Sequence, residues 1–257
     1  MKNRNPMKLS VKSVSTGCLL FLLLTAPSLI AGSGTLQPGS ISKTSISTLT
    51  IKSKAEALAL EAYSLYDSMN LKSYGLSKKA FEYAWRGYQY LQEKGRLVNN
   101  NILSICDFSQ SSRRKRMYII DLEQQKVLIN TYVAHGRNSG AEYARSFSNS
   151  PESHKSSLGF YVTKTTYYGG HGLALTIDGM EKGINDKAFA RKIVVHGSNY
   201  VGSNFIKSNK FNGRSFGCPA IPASQTQDVI NTIKNGSCLF IYHPNKKYIT
   251  QSKILNS

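Results

Sequence analysis

Acidic residues are scarce in this chain of 257 residues: 14 Asp and Glu stand against 33 Lys and Arg, a formal net charge of +19. The shortage is sharpest from residue 187 onward, where ten basic residues face a single acid, Asp228. A field of that sign attracts anionic polymers. It also leaves no carboxylate close in sequence to orient a histidine in that half. Other absences narrow the function further. There is no glycine-rich phosphate loop, which removes the ordinary nucleotide-binding motif. Neither an internal repeat nor a heptad pattern occurs, so a solenoid and a coiled coil are excluded. The histidines (His135, His154, His171, His196 and His243) fall at no zinc-ligand spacing, and no metal or other cofactor is expected. What is present, 40% apolar and 10% aromatic residues, suffices for one sizeable domain, alone or with an appendage.

The N-terminus carries Lys2, Arg4, Lys8 and Lys12 ahead of an apolar stretch over 18–30, followed by the small residues Ala31-Gly32-Ser33-Gly34. This reads as a secretory signal peptide over residues 1–33, cleaved within 31–34. The apolar run is short for a membrane span and contains Pro27. The expected destination is the periplasm, or otherwise the cell envelope or exterior. Export sets nucleic acid aside as the partner of the positive surface and leaves anionic envelope polymers. Cleavage removes Cys18 and leaves Cys106, Cys218 and Cys238, and an odd count in an exported chain points to a free thiol. Cys106 and Cys238 lie in apolar alternating runs and read as small buried hydrophobes, with a disulfide between them as the alternative.

Residues 34–52 are rich in Ser and Thr and read as a flexible linker. A helical segment over 53–98 follows, opened by the capping-box pattern Ser53-Lys54-Ala55-Glu56. Its second helix is expected over 77–93, with Phe81, Ala84, Tyr88 and Leu91 on one face and Gly95 as its stop. The pair is expected to pack on a main domain over 99–250. There the period turns strand-like at 102–107, 116–122, 126–134, 159–164, 173–178, 192–196 and 237–242, with one helix over 223–234 capped by Ser224. The fold class is mainly β (α+β), and the chain is expected to act as a monomer. Long loops over 135–158 and 197–214 are where a site is expected.

The run Gly213-Arg214-Ser215-Phe216-Gly217-Cys218-Pro219-Ala220 sets a cysteine in a tight turn, 22 residues after His196. His196 closes the apolar run 192–196. A thiolate attacks a carbonyl well and a neutral thiol poorly, so a thiol nucleophile needs a neighbouring base. Imidazole titrates near neutrality and suits that role. Its second nitrogen must be oriented, by a carbonyl around Gly197 or by the Ser198 hydroxyl. The N–H groups of Gly217 and Cys218 are placed to meet a developing oxyanion. Ser215 either fixes the turn or donates to substrate. Arg214 is suited to a carboxylate unless it is merely a solvated surface residue. His171, in Gly169-Gly170-His171-Gly172, is a candidate lining of the cleft. Together these residues read as a cysteine enzyme that transfers acyl groups.

The constellation resembles the YkuD-like L,D-transpeptidase catalytic domain of bacterial cell-wall enzymes. The usual pattern there is His-Gly, then Ser-His-Gly-Cys followed by an apolar residue and Arg. Phe216 replaces the second histidine and Ala220 replaces the arginine. Both departures match a divergent branch, the murein L,D-transpeptidase catalytic domain family. The chain is similar to that branch over about 57–242. The similarity runs through Cys106-Asp107-Phe108-Ser109, Val133-Ala134-His135-Gly136, Phe147-Ser148-Asn149, Ser156-Ser157-Leu158-Gly159-Phe160, Asp178-Gly179-Met180-Glu181 and the cysteine turn. The resemblance implies a β-sandwich or barrel catalytic domain acting on peptidoglycan stem peptides. Cys218 would form a thioester with the tetrapeptide stem and release D-Ala, with His196 holding the proton. An amine of a neighbouring stem would then take the acyl group, making a 3-3 cross-link. Water as acceptor makes the same machinery an L,D-carboxypeptidase. Arg214 is the candidate grip on the donor carboxylate. A rival of another class is a non-catalytic basic module that binds the cell wall.

Overall fold

The structure, a computed structural model, describes residues 43–257 apart from His171, with side chains from Lys54 onward. The expected signal peptide and the first part of the expected linker lie outside the described residues. Helix α1 (Lys43–Ser68) begins ten residues before the capping-box pattern, so residues 43–52 are helical rather than linker. Extending a helix costs only tenths of a kcal/mol per Ser or Thr once a packed segment has nucleated it, about what propensity scales give. That segment is fixed by Ala62, Tyr66 and Met69, all buried. Helix α2 (Lys78–Glu93) matches its expected span, and the Ser77 hydroxyl caps it by accepting the Ala80 N–H at 3.3 Å. Gly95 adopts φ +62 just past its end, where the Arg96 N–H reaches back to Leu91 O at 2.9 Å. Gly87 marks the closest approach of α2 to the sheet: a Cβ there would sit 1.9 Å from the ring of Phe160. That ring stacks on Phe240 at 4.1 Å, so the helical pair and the barrel share one core.

Eight strands form one sheet: β1 (Ile102–Asp107), β2 (Met117–Asp121), β3 (Lys126–Thr131), β4 (Gly159–Gly169), β5 (Gly172–Gly179), β6 (Val194–Ser198), β7 (Ala220–Pro222) and β8 (Cys238–Tyr242). Their order is β3-β2-β1-β8-β4-β5-β6-β7. The parallel pair β1 and β8 sits at the centre and is buried along its whole length, as continuous apolar runs demand. Just beyond β3, Ala134 donates its N–H to Ala220 O of β7 at 2.8 Å. The two outer strands are thereby brought together and the sheet is nearly closed into a barrel, which covers its edges. The expected mainly-β class with N-terminal helices is what the chain adopts.

Four short elements were not foreseen: a 3-10 turn at Arg137–Ser139, β7, α3 (Ser203–Asn209) and α5 (Lys246–Gln251). Too few residues in each carry a period. The helix expected over 223–234 starts as a 3-10 turn at Ala223–Gln225 and becomes α4 at Thr226–Ile233. Ser224 does not cap it. The Thr226 hydroxyl instead donates to Ala223 O at 2.9 Å within the turn. Cys106 and Cys238 are buried and free. The register pairs Cys106 with Ile241 and Cys238 with Leu103. The two sulfur-bearing residues are therefore three rungs apart, roughly 10 Å along the strands, which no disulfide spans.

Candidate active site

β6 carries His196 on a rung shared by Ala174 of β5 and Ala220 of β7. Alanines on both sides leave the imidazole room on the sheet surface. Cys218 stands two residues before Ala220, so the same rung that fixes His196 fixes the approach of the thiol. The turn itself is held by Ser215, whose hydroxyl donates to Cys218 O at 2.6 Å and accepts the Gly217 N–H at 3.1 Å. Ser215 N–H in turn donates to His135 O at 3.0 Å, and Arg137 N–H donates to Ser215 O at 2.7 Å. Gly217 has φ +124, where a Cβ would lie 2.9 Å from Lys155 O. Of the two expected roles of Ser215, fixing the turn is the one these bonds perform. The Gly217 N–H, expected to meet an oxyanion, donates to the Ser215 hydroxyl. Among the described residues no group accepts the Cys218 N–H, which is left for an oxyanion.

His196 is 4% exposed, and its Nδ1 lies 3.0 Å from Gly197 O. A carbonyl can only accept, so Nδ1 carries the hydrogen and Nε2 is the basic nitrogen. The orienting group is therefore the Gly197 carbonyl. The Ser198 hydroxyl instead accepts the Tyr200 N–H at 3.3 Å. Gly197 admits no side chain, because a Cβ there would fall 1.9 Å from the Thr226 hydroxyl oxygen.

His196 and Cys218 line one cavity of about 360 Å³, together with Tyr167, Tyr200, Arg191 and Arg214. The Cys218 sulfur accepts the Val194 N–H at 3.5 Å and donates to Lys192 O at 3.7 Å. Burial pushes its pKa up, against the Val194 N–H and the Arg191 cation, which pull it down. The resting group is a thiol. Arg214 is exposed and donates through Nη1 to Arg137 O at 3.3 Å and Gly140 O at 3.1 Å.

Arg191 is the residue sequence reasoning missed, counted there only among the basic residues. Its guanidinium donates to Ser148 O at 2.8 Å and Lys155 O at 2.6 Å, and to the hydroxyls of Ser157 at 2.5 Å and Ser153 at 3.3 Å. It thus ties the 148–157 loop beneath the cysteine turn. Two of the serines it holds, Ser148 and Ser157, belong to segments that carry the family resemblance, the one signal that pointed to it. The remaining histidines are dispersed. His135 is fully buried with Nδ1 2.8 Å from an Arg116 nitrogen, the His154 ring lies 4.5 Å from Phe216, and the His243 ring lies 5.0 Å from Phe147. His171 is outside the described residues.

A partly exposed thiol and a buried imidazole thus line one cavity. Residues 72–242 match the L,D-transpeptidase catalytic domain, and the chain belongs to that family. No curated protein matches the chain. Solved structures similar to it include an L,D-transpeptidase from Mycobacterium smegmatis, at 10% identity and TM-score 0.34, covering 56% of this chain and 59% of that one. An L,D-transpeptidase of Enterococcus faecium shares 12% identity at TM-score 0.32, covering 55% and 50%. The helical cell shape determining protein Pgp2 of Campylobacter jejuni shares 13% at 0.37, covering 63% and 57%. The chain thus spans between 50% and 59% of the length of these three solved chains.

Proposed function

We propose that the chain is an exported peptidoglycan L,D-transpeptidase in which Cys218 is the nucleophile and His196 the base. The observation that carries this reading is their shared cavity, with the His196 tautomer set by Gly197 O. Nε2 takes the thiol proton as the sulfur attacks the carbonyl joining the third residue of a tetrapeptide stem to its terminal D-Ala. The oxyanion meets the Cys218 N–H. The C–N bond then breaks, His196 returns the proton to the leaving amine, and D-Ala departs from a thioester. An amine of a second stem gives its proton to His196, attacks the thioester and restores the thiol, leaving a 3-3 cross-link. A groove of about 900 Å³ shares Tyr200 with the catalytic cavity and has room for that second stem. Export over residues 1–33 brings the enzyme to its substrate, and its positive charge favours the anionic polymers found there.

Incubation of fresh, reduced protein with disaccharide tetrapeptide and mass analysis of the products tests this. Cross-linked dimer plus D-Ala is the expected result. Tripeptide plus D-Ala means that water is the acceptor, and unconverted substrate bound to active thiol means a wall-binding module.

A further inference from the structure

We propose that Arg137 and Arg214, with the Phe216 ring as platform, form a carboxylate-binding subsite beside Cys218. The inference rests on the reading above and concerns a carboxylate of the donor stem. Its starting point is the two arginines that border the cavity and the groove beside it. Arg214 and Phe216 line the catalytic cavity, and both also line an adjoining groove of about 390 Å³ that Arg137 flanks. Phe216 is 63% exposed, and the Arg137 guanidinium carbon lies 5.7 Å from its ring centroid. A guanidinium held against an aromatic face keeps its N–H edge for in-plane acceptors.

Neither arginine is neutralised. The four ion pairs among the described residues are Lys54–Glu93, Lys78–Asp67, Lys79–Glu82 and Lys164–Asp178. Arg214 uses only Nη1, on the carbonyls of Arg137 and Gly140. Arg137 is joined through its own N–H to Ser215 O. The Arg214 guanidinium and the Arg137 backbone are therefore part of one hydrogen-bonded unit with the cysteine turn. Two unpaired guanidinium forks on one groove match a planar carboxylate. Two carboxylates of a stem come within reach: that of the terminal D-Ala, one residue from the bond attacked, and that on a diaminopimelate side chain at the third position.

The test measures release of the terminal residue (D-Ala, or D-alaninamide from the amide) by the full chain and its Arg137→Gln variant on three disaccharide tetrapeptides: the free acid with diaminopimelate, its C-terminal amide, and the free acid with lysine. Arg137→Gln is expected to raise KM about tenfold on the first substrate, the size of a lost charge-assisted hydrogen bond. If the terminal carboxylate is the ligand, that penalty vanishes on the amide. If the side-chain carboxylate is the ligand, it vanishes on the lysine stem. A penalty of equal size on all three, or none on any, overturns the subsite. Calorimetric binding of the same peptides to the Cys218→Ala protein, with and without Arg137→Gln, reads the same contrast without turnover. Release of no D-Ala by the wild type overturns the proposed reaction. The binding contrast then decides the subsite alone: a selective loss supports it, and a uniform one or none refutes it.

Discussion

His196 and Ala220 are register partners on β6 and β7, and that pairing sets the imidazole one rung from the strand that Cys218 leads into two residues earlier. The cysteine turn is thereby anchored at its C-terminal end by a strand rung. At its N-terminal end it is anchored by Ser215, bonded to His135 O and to the Arg137 N–H.

Ser215 is the pin of that turn. Ser215→Ala removes the acceptor of the Gly217 N–H and the donor to Cys218 O. Loss of two such bonds is expected to cost about 1–3 kcal/mol in stability. D-Ala release should fall at least about tenfold, since a thiol displaced by a fraction of an ångström attacks poorly. Thermal melts and D-Ala release measure both, and Ser215→Thr, which keeps the hydroxyl, should restore most of the loss.

Arg191 pulls the Cys218 pKa down against a burial that pushes it up. Removing the cation removes stabilisation from the thiolate and none from the thiol, so Arg191→Gln moves the pKa further up. The rate of alkylation by iodoacetamide, followed against pH by mass, should rise at higher pH in the variant than in the wild type. Coincident profiles would mean that Arg191 serves only to tie down the 148–157 loop.

His135 gives the protein an acid-side weakness. Burial, and after it the Arg116 cation, lowers its pKa from 6.5 to about 3. Between those values the unfolded chain binds a proton that the folded chain refuses. The stability this group contributes is therefore complete above pH 6.5 and falls as the pH drops towards 3, by up to about 1.4 kcal/mol per unit. His135→Gln keeps an acceptor for Arg116 and cannot titrate. Its melting temperature is expected to depend less steeply on pH between 6.5 and 4 than that of the wild type.

Gly197 is expected to tolerate no side chain. Gly197→Ala drives a methyl to 1.9 Å from the Thr226 hydroxyl oxygen, with the Thr226 Cβ and methyl at 3.1 and 3.2 Å. Overpacking of this kind costs about 1–3 kcal/mol. Thr226→Ala in the same chain should return part of it, read as a rise in melting temperature over the single variant.

Much of this was legible in the sequence because long elements carry a period. Helix α2 and strand β1 emerge with their ends correct within one residue, since apolar spacing runs through them. The three residues of β7 carry none, yet they bring the barrel's edges together and place Cys218. That Cys218 and His196 belong to one site was expected from their chemistry, and the fold sets both on one cavity. The roles of Arg191 and Arg137 were not legible, because each depends on carbonyls and rings brought in from other segments by the fold. The bond from the Gly217 N–H to Ser215 was not legible for the same reason: the two are close in sequence, but the geometry that joins them is set by the turn.

The central claim is that Cys218 carries the acyl group and His196 activates it. Intact-protein mass measured within the first turnovers on disaccharide tetrapeptide tests this most directly. The account predicts an adduct equal to the donor less D-Ala, located on Cys218 in the wild type, and absent from both Cys218→Ala and His196→Ala. An adduct of that mass persisting in either variant, or absent from fresh reduced wild-type protein that releases D-Ala, would contradict it.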